Sequence, residues 1–137
     1  MKLPVVDETI KNKKVLVRGD IDISDGDFFR LEAIKPTIDF LLNNNCQVIL
    51  CGHRGRPTGF DPNFTTKPIQ DYFPKIKVLE NLRFDPREIN NDESLARELA
   101  MNQDIFVNES FAESYREVAS ISGVAKLLPH FAGFRLV

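Results

Sequence analysis

The chain has 137 residues, 42% hydrophobic and 28% charged, with 18 lysines and arginines against 20 aspartates and glutamates for a net charge of −2. That length suits one domain with a real core, and the slight acidity excludes a general nucleic-acid or polyanion binder, which carries a basic excess. Two cysteines are too few for a disulfide scaffold, no His/Cys cluster has zinc spacing, and neither an apolar leader nor a membrane-length run is present, so a soluble cytoplasmic protein with no membrane or nucleic-acid partner is expected.

Lys14 to Arg18 (KVLVR) is an apolar run closing on a charge and predicts a buried strand. From Arg30 to Asn43, Leu31, Ile34, Ile38, Leu41 and Leu42 recur at helical spacing. Pro36 should start or kink that helix, because it lacks a donor and crowds the preceding turn, and Asn43-Asn44-Asn45 should end it. Gln47 to Cys51 (QVILC) predicts a second strand, unbroken in apolar residues like strands covered on both faces. Cys46 and Cys51 flank that run and point to opposite faces, which predicts two buried thiols and no bridge. Phe60 to Thr66 reads as a polar loop, Lys67 to Phe73 as a short helix and Lys75 to Leu79 as a third strand. Asp92 should cap a helix running to Met101, and Asp104 to Val107 gives a fourth strand. Ser120 is expected to cap a last helix whose stripe is Ile121, Val124, Ala125 and Leu128, stopped by Pro129. Strands and helices alternating in this way predict an α/β domain over residues 1–137, with a mainly parallel sheet and helices on both faces.

The polar residues fall after those strands. Arg18, Asp20 and Asp22 close the first, and His53 and Arg56 follow the second in GHRGRPTG. Arg83 follows the third, and Asn108 and Arg116 follow the fourth. Open α/β sheets bind ligands beyond the carboxyl ends of their strands, so these loops should share one crevice. His53, Arg56, Arg83 and Arg116 are planar donors suited to phosphate or carboxylate. Singly, each also fits a solvated loop or a local ion pair, Arg83 with Glu80 or Asp85 and Arg116 with Glu113 or Glu117. Jointly they favour an anion site. No Walker loop, GxGxxG fingerprint or GxSxG elbow is present, so nothing in the chain is suited to a nucleotide cofactor or a nucleophilic serine.

KKVLVRGDIDI, RLEAIKPTIDFLL, GHRGRP, ENLRF and VNESFAESYREVAS, in that order, followed by GVAKLLPHFAGFRL, resemble the N-terminal domain of phosphoglycerate kinase. The resemblance implies a three-layer Rossmann-like fold. It also implies phosphoryl transfer between 1,3-bisphosphoglycerate and magnesium-ADP, yielding 3-phosphoglycerate and ATP in glycolysis. By the same resemblance Asp20 accepts from the substrate hydroxyl, and Arg30 binds the carboxylate and stabilises the group in flight. His53, Arg56, Arg83 and Arg116 grip the non-transferred phosphate. The nucleotide belongs to a C-terminal domain without a counterpart here, so this chain is expected to bind no cofactor or metal itself and to be inactive alone.

Three departures from the family pattern stand out. The family's R-V-D-F-N reads Arg18-Gly19-Asp20-Ile21-Asp22, placing Asp22 where a substrate-contacting asparagine is usual. Its H-L-G-R-P has Arg54 for leucine, a charge that could offset Asp22, and N-D-A-F-G-T-A-H-R reads Asn108 to Arg116 without the histidine. Between GRP and ENLRF the chain is also shorter than usual. The leading expectation is a glycerate-binding domain that works with a nucleotide domain, in the same longer chain or in trans. A stand-alone anion-binding or regulatory protein is the alternative, and a relic whose arginines pair only internally comes last.

Overall fold

Three consecutive valine and leucine positions let the first strand sit between two layers, and the rest of the sheet is built outward from it. In the computed structural model, which describes residues 3–110 and 117–134, β1 (Lys14–Gly19) pairs in parallel with β2 (Gln47–Cys51) on one side and β4 (Ile105–Glu109) on the other. β3 (Lys77–Val78) joins β2, and β5 (His130–Ala132) joins β4, giving the order β3-β2-β1-β4-β5 with every pairing parallel. Parallel strands alternate their side chains between two covered faces. Val15, Val17, Val48, Leu50 and Val107 pack with α1 (Phe29–Asn43) and α2 (Lys67–Tyr72). Leu16, Cys51 and Phe106 pack with α3 (Glu93–Ala100) and a π-type turn over Ala119–Gly123. The chain therefore has the expected three-layer, Rossmann-like α/β architecture. Cys46 lies in the first cluster and Cys51 in the second, both free, and burial pushes the Cys51 thiol up to about 12.

Local chemistry fixes the element ends. Asp92 caps α3 by accepting from Ser94 N at 2.8 Å. Asn45 takes the left-handed conformation (φ 59°) that ends α1, and Pro36 is carried inside that helix. The third strand is shorter than its apolar run predicts, pairing with β2 only through Lys77 and Val78, and Gln70 caps its outer edge. The Gln70 carboxamide donates to Ile76 O at 2.9 Å and accepts from Val78 N at 3.0 Å, as a neighbouring strand would. β4 runs two residues further than expected, to Glu109. β5, three residues following Pro129, was not anticipated. Ser120 does not cap a helix. Val118 precedes the turn, and Ser120 lies within it, fully buried, its hydroxyl drawn toward Arg18 and Glu88.

Candidate functional site

All five strands run the same way, so the loops that follow them emerge at one edge of the sheet. Asp20, just beyond β1, is buried, and its Oδ1 accepts from Nη1 of Arg30 at 2.9 Å. Arg30 is the second residue of α1 and keeps 46% of its side chain exposed. Asp22 reaches the next loop, accepting from Gly55 N at 2.7 Å. His53 is buried after β2, with Nδ1 3.3 Å from Gly55 O, where a protonated Nδ1 donates to that carbonyl. Gly55 must be glycine: φ is +60° and a Cβ would lie 2.6 Å from the Phe64 ring. Gly55 thus packs this loop against Phe64.

Arg54 and Arg56, two positions apart, differ completely. Arg54 is 4% exposed and spends its guanidinium on Ile23 O, Thr65 O and Asp25, so it is not the ligand-side counterweight to Asp22 that the sequence suggested. Arg56 is exposed and borders a cleft of about 360 Å³ with Phe60, Asp61 and Phe64.

Arg83 sits in a short turn after β3 that is locked onto the β2 loop. Asn81 Nδ2 donates to Arg54 O (2.7 Å) and Phe64 O (2.9 Å), its Oδ1 accepts from Arg83 N (3.0 Å), and Leu82 N donates to Gly52 O (3.0 Å). The acidic neighbours that might have paired with Arg83 are taken. Glu80 accepts from Thr66 N and Asn81 N, and Arg87 beside Asp85 holds that carboxyl below its usual range. Among the described residues neither Arg56 nor Arg83 has an acidic partner. The structure thus ties together the loops carrying Asp20, Asp22, His53, Arg56 and Arg83, with Arg30 of α1 bonded to Asp20; Arg116 lies outside the described residues.

Two sets of residues escaped the sequence reading. Arg18, counted there with the loop charges, is a β1 residue buried on the α3 face. Its Nε donates to Ser120 Oγ (2.8 Å) and Nη1 to Gly19 O (2.8 Å) and Ser110 Oγ (2.9 Å), while Ser120 also bonds Glu88 through N and Oγ. The alternation that puts Arg18 in phase with Leu16 was the available signal. Asn81 carried none, since a polar residue before a turn looks like solvent-facing chain.

A doubly covered parallel sheet, with arginines beyond its strand ends that have no acidic partner among the described residues, defines an α/β domain of the open-sheet class, whose ligand crevices lie at that edge. The family model for phosphoglycerate kinase matches residues 5–77 and 74–137, and the chain belongs to that family. The phosphoglycerate kinase of Leptospira biflexa is 34% identical over 97% of this chain and 42% of its own length, and that of a Roseiflexus species 39% over 89% and 40%. The phosphoglycerate kinase structure from Coxiella burnetii superposes with a TM-score of 0.89 at 26% identity, covering 98% of this chain and 42% of that one. The chain thus spans about two fifths of the relatives it matches. The Leptospira comparison runs over 168 positions, more than the 137 residues here, so that relative carries chain that this one lacks. The two matched segments of the family model meet at residues 74–77, the approach to β3, inside the stretch that the sequence marks as short.

Proposed function

We propose that this chain, as one domain, holds the glycerate substrate of a cytoplasmic phosphoglycerate kinase. 3-Phosphoglycerate or 1,3-bisphosphoglycerate binds here for phosphoryl transfer to or from magnesium-ADP or ATP. The observation that carries this reading is the pair Arg56 and Arg83, without acidic partners among the described residues, on loops that Asn81 binds together. Two unit charges ~4 Å apart near a surface interact by roughly 1 to 4 kcal/mol, so an anion that draws such groups together is held by several such terms. His53, Arg56, Arg83 and Arg116 hold the non-transferred phosphate. Asp20 accepts from the substrate hydroxyl, Asp22 stands at the border of the site, and Arg30 binds the carboxylate end.

Arg30 is also the one candidate for a catalytic role. Its bond to Asp20 fixes one guanidinium edge while nearly half of the side chain faces solvent. Phosphoryl transfer depends on positioning and charge neutralisation and asks little covalent work of the protein. An arginine steered by a buried carboxylate suits that task, with no nucleophile required.

Magnesium nucleotide is assigned to a nucleotide domain outside the two fifths of its relatives' length that this chain spans.

Calorimetric titration with 3-phosphoglycerate tests the reading. Binding that weakens with salt and is lost in Arg83→Ala is expected, together with no ATP formation from 1,3-bisphosphoglycerate and magnesium-ADP by this chain alone. A folded protein that takes up no 3-phosphoglycerate at low salt overturns it.

A further inference from the structure

Two of the departures from the family pattern, Asp22 and Arg54, meet across the same pair of loops. The Asp22 carboxylate, on the β1 loop, accepts from the backbone N–H of Gly55 on the β2 loop at 2.7 Å. The Arg54 guanidinium, on the β2 loop, donates from Nε and Nη2 to the backbone carbonyl of Ile23 on the β1 loop, both at 3.2 Å. Each side chain thus holds the other loop's backbone, in opposite directions. Arg54 extends the link through Nη1 to Thr65 O at 2.7 Å, ahead of α2. Its pairing with Asp25 adds little, since that carboxylate is 86% exposed.

A guanidinium only 5% exposed persists only where acceptors meet its donors. Here Nε, Nη1 and Nη2 are all engaged, and a leucine at the same place would leave the Ile23 and Thr65 carbonyls without these partners. Arg56 lies two residues further on and His53 one residue before, so whatever fixes Arg54 fixes the frame from which both project.

We propose that Asp22 and Arg54 form a reciprocal clasp that sets the β2 loop in its anion-binding geometry before any ligand arrives, making them positioning residues. The proposal rests on the reading of this site as a phosphate grip. Preorganisation of this kind improves affinity by removing the ordering cost from the binding step.

The test uses the whole chain, in Arg54→Leu, Asp22→Ala and the double variant. Amide hydrogen exchange is followed without ligand and again with saturating 3-phosphoglycerate, beside calorimetric titration. Removing one partner from a buried bond predicts exchange at least about tenfold faster over residues 22–25 and 53–59 in either single variant. Residues 15–17 and 48–50 should keep their protection, and the double variant should fall short of the product of the two single effects. In Arg54→Leu, 3-phosphoglycerate affinity should drop by about tenfold, with bound ligand restoring loop protection. Arg54→Lys should not rescue, because one ammonium cannot span the Ile23 and Thr65 carbonyls as the fork does.

Loop exchange unchanged in both single variants overturns the clasp. So does exchange accelerated equally across β1 and β2, which would mark a general loss of stability, and so do looser loops with unaltered affinity in Arg54→Leu. If the wild type binds no 3-phosphoglycerate, the proposed ligand falls while accelerated loop exchange still supports the clasp.

Discussion

Behind β1, Arg18 is 1% exposed and enclosed by Ser110, Ser120 and the Gly19 carbonyl, with Glu88 on the far side of Ser120. Beyond β2 and β3, Arg56 is exposed and Arg83 half-buried, and among the described residues neither has an acidic partner. The same side chain serves two ends. In the sealed region its charge joins β1, the segment around Glu88 and the π-type turn into one unit. In the open region, on the proposed reading, its charge is left for an anion. Burial with satisfied donors separates the two uses, and a charge count does not.

Breaking the sealed side should give the largest effect. Arg18→Met leaves the Ser110 and Ser120 hydroxyls without their charged donor, and each hydrogen bond to a charged group contributes about 1.5–3 kcal/mol, so a loss of roughly 3 kcal/mol or more is expected. Urea unfolding should show that loss as a lower midpoint. A loss of less than about 1 kcal/mol would mean that the cluster is no stronger than a surface pair.

The open side should behave oppositely. Arg56→Ala and Arg83→Ala should leave stability within about 0.5 kcal/mol, as solvent-facing substitutions do. Each should weaken 3-phosphoglycerate by at least about tenfold, or roughly 1.4 kcal/mol. A stability loss matching that of Arg18→Met, with affinity retained, would place these arginines on the structural side of the comparison.

What the sequence made legible follows from the same distinction. Apolar runs place four strands, α1 and α3, with boundaries close to those observed except at β3, two residues long against the five expected, because a strand covered on both faces has few other ways to read. β5 was not legible, since three residues after a proline carry no periodicity. Gln70 was not legible either: its role arises when a side chain from α2 reaches β3, which no local pattern encodes. In the site, the order of His53, Arg56 and Arg83 after successive strands was readable from chain order alone. That Arg54 is locked while Arg56 is open was not, because both lie in one polar stretch and only tertiary packing separates them.

His130 extends the comparison to pH. It stacks on Phe106 with ring centroids 4.8 Å apart, its Nε2 is buried without a partner, and burial lowers its pKa below the ordinary imidazole value. The folded state thus resists a proton that the unfolded chain accepts. The stability this group contributes is full above the unfolded pKa near 6.5 and is lost as pH falls below it toward the folded value. Its slope is no steeper than about 1.4 kcal/mol per pH unit. Unfolding midpoints between pH 7.5 and 5.5 should fall more steeply in the wild type than in His130→Phe. Parallel curves would show that the ring is protonated alike in both states.

Asp22→Asn gives the smallest expected change and the finest division of sealed from open charge, because Asp22 sits on the boundary. An asparagine keeps an Oδ1 acceptor for Gly55 N, so the β1 and β2 loops stay joined, through a neutral bond weaker than the charge-assisted one. Removal of a negative charge next to an anion site acts in the other direction, tightening 3-phosphoglycerate by up to roughly 1 kcal/mol at surface-like screening. The two effects carry different signatures. The ligand gain is electrostatic and should shrink as salt rises, whereas the weaker loop bond should appear as a small loss in unfolding midpoint at every salt concentration. Titrations of wild type and Asp22→Asn at low and high salt, beside urea unfolding of both, read the two separately. Tighter binding only at low salt would place the Asp22 charge in the field of the ligand. Equal affinities at low salt, with the midpoint lowered, would put Asp22 wholly on the sealed side, its charge absorbed by the N–H that it holds.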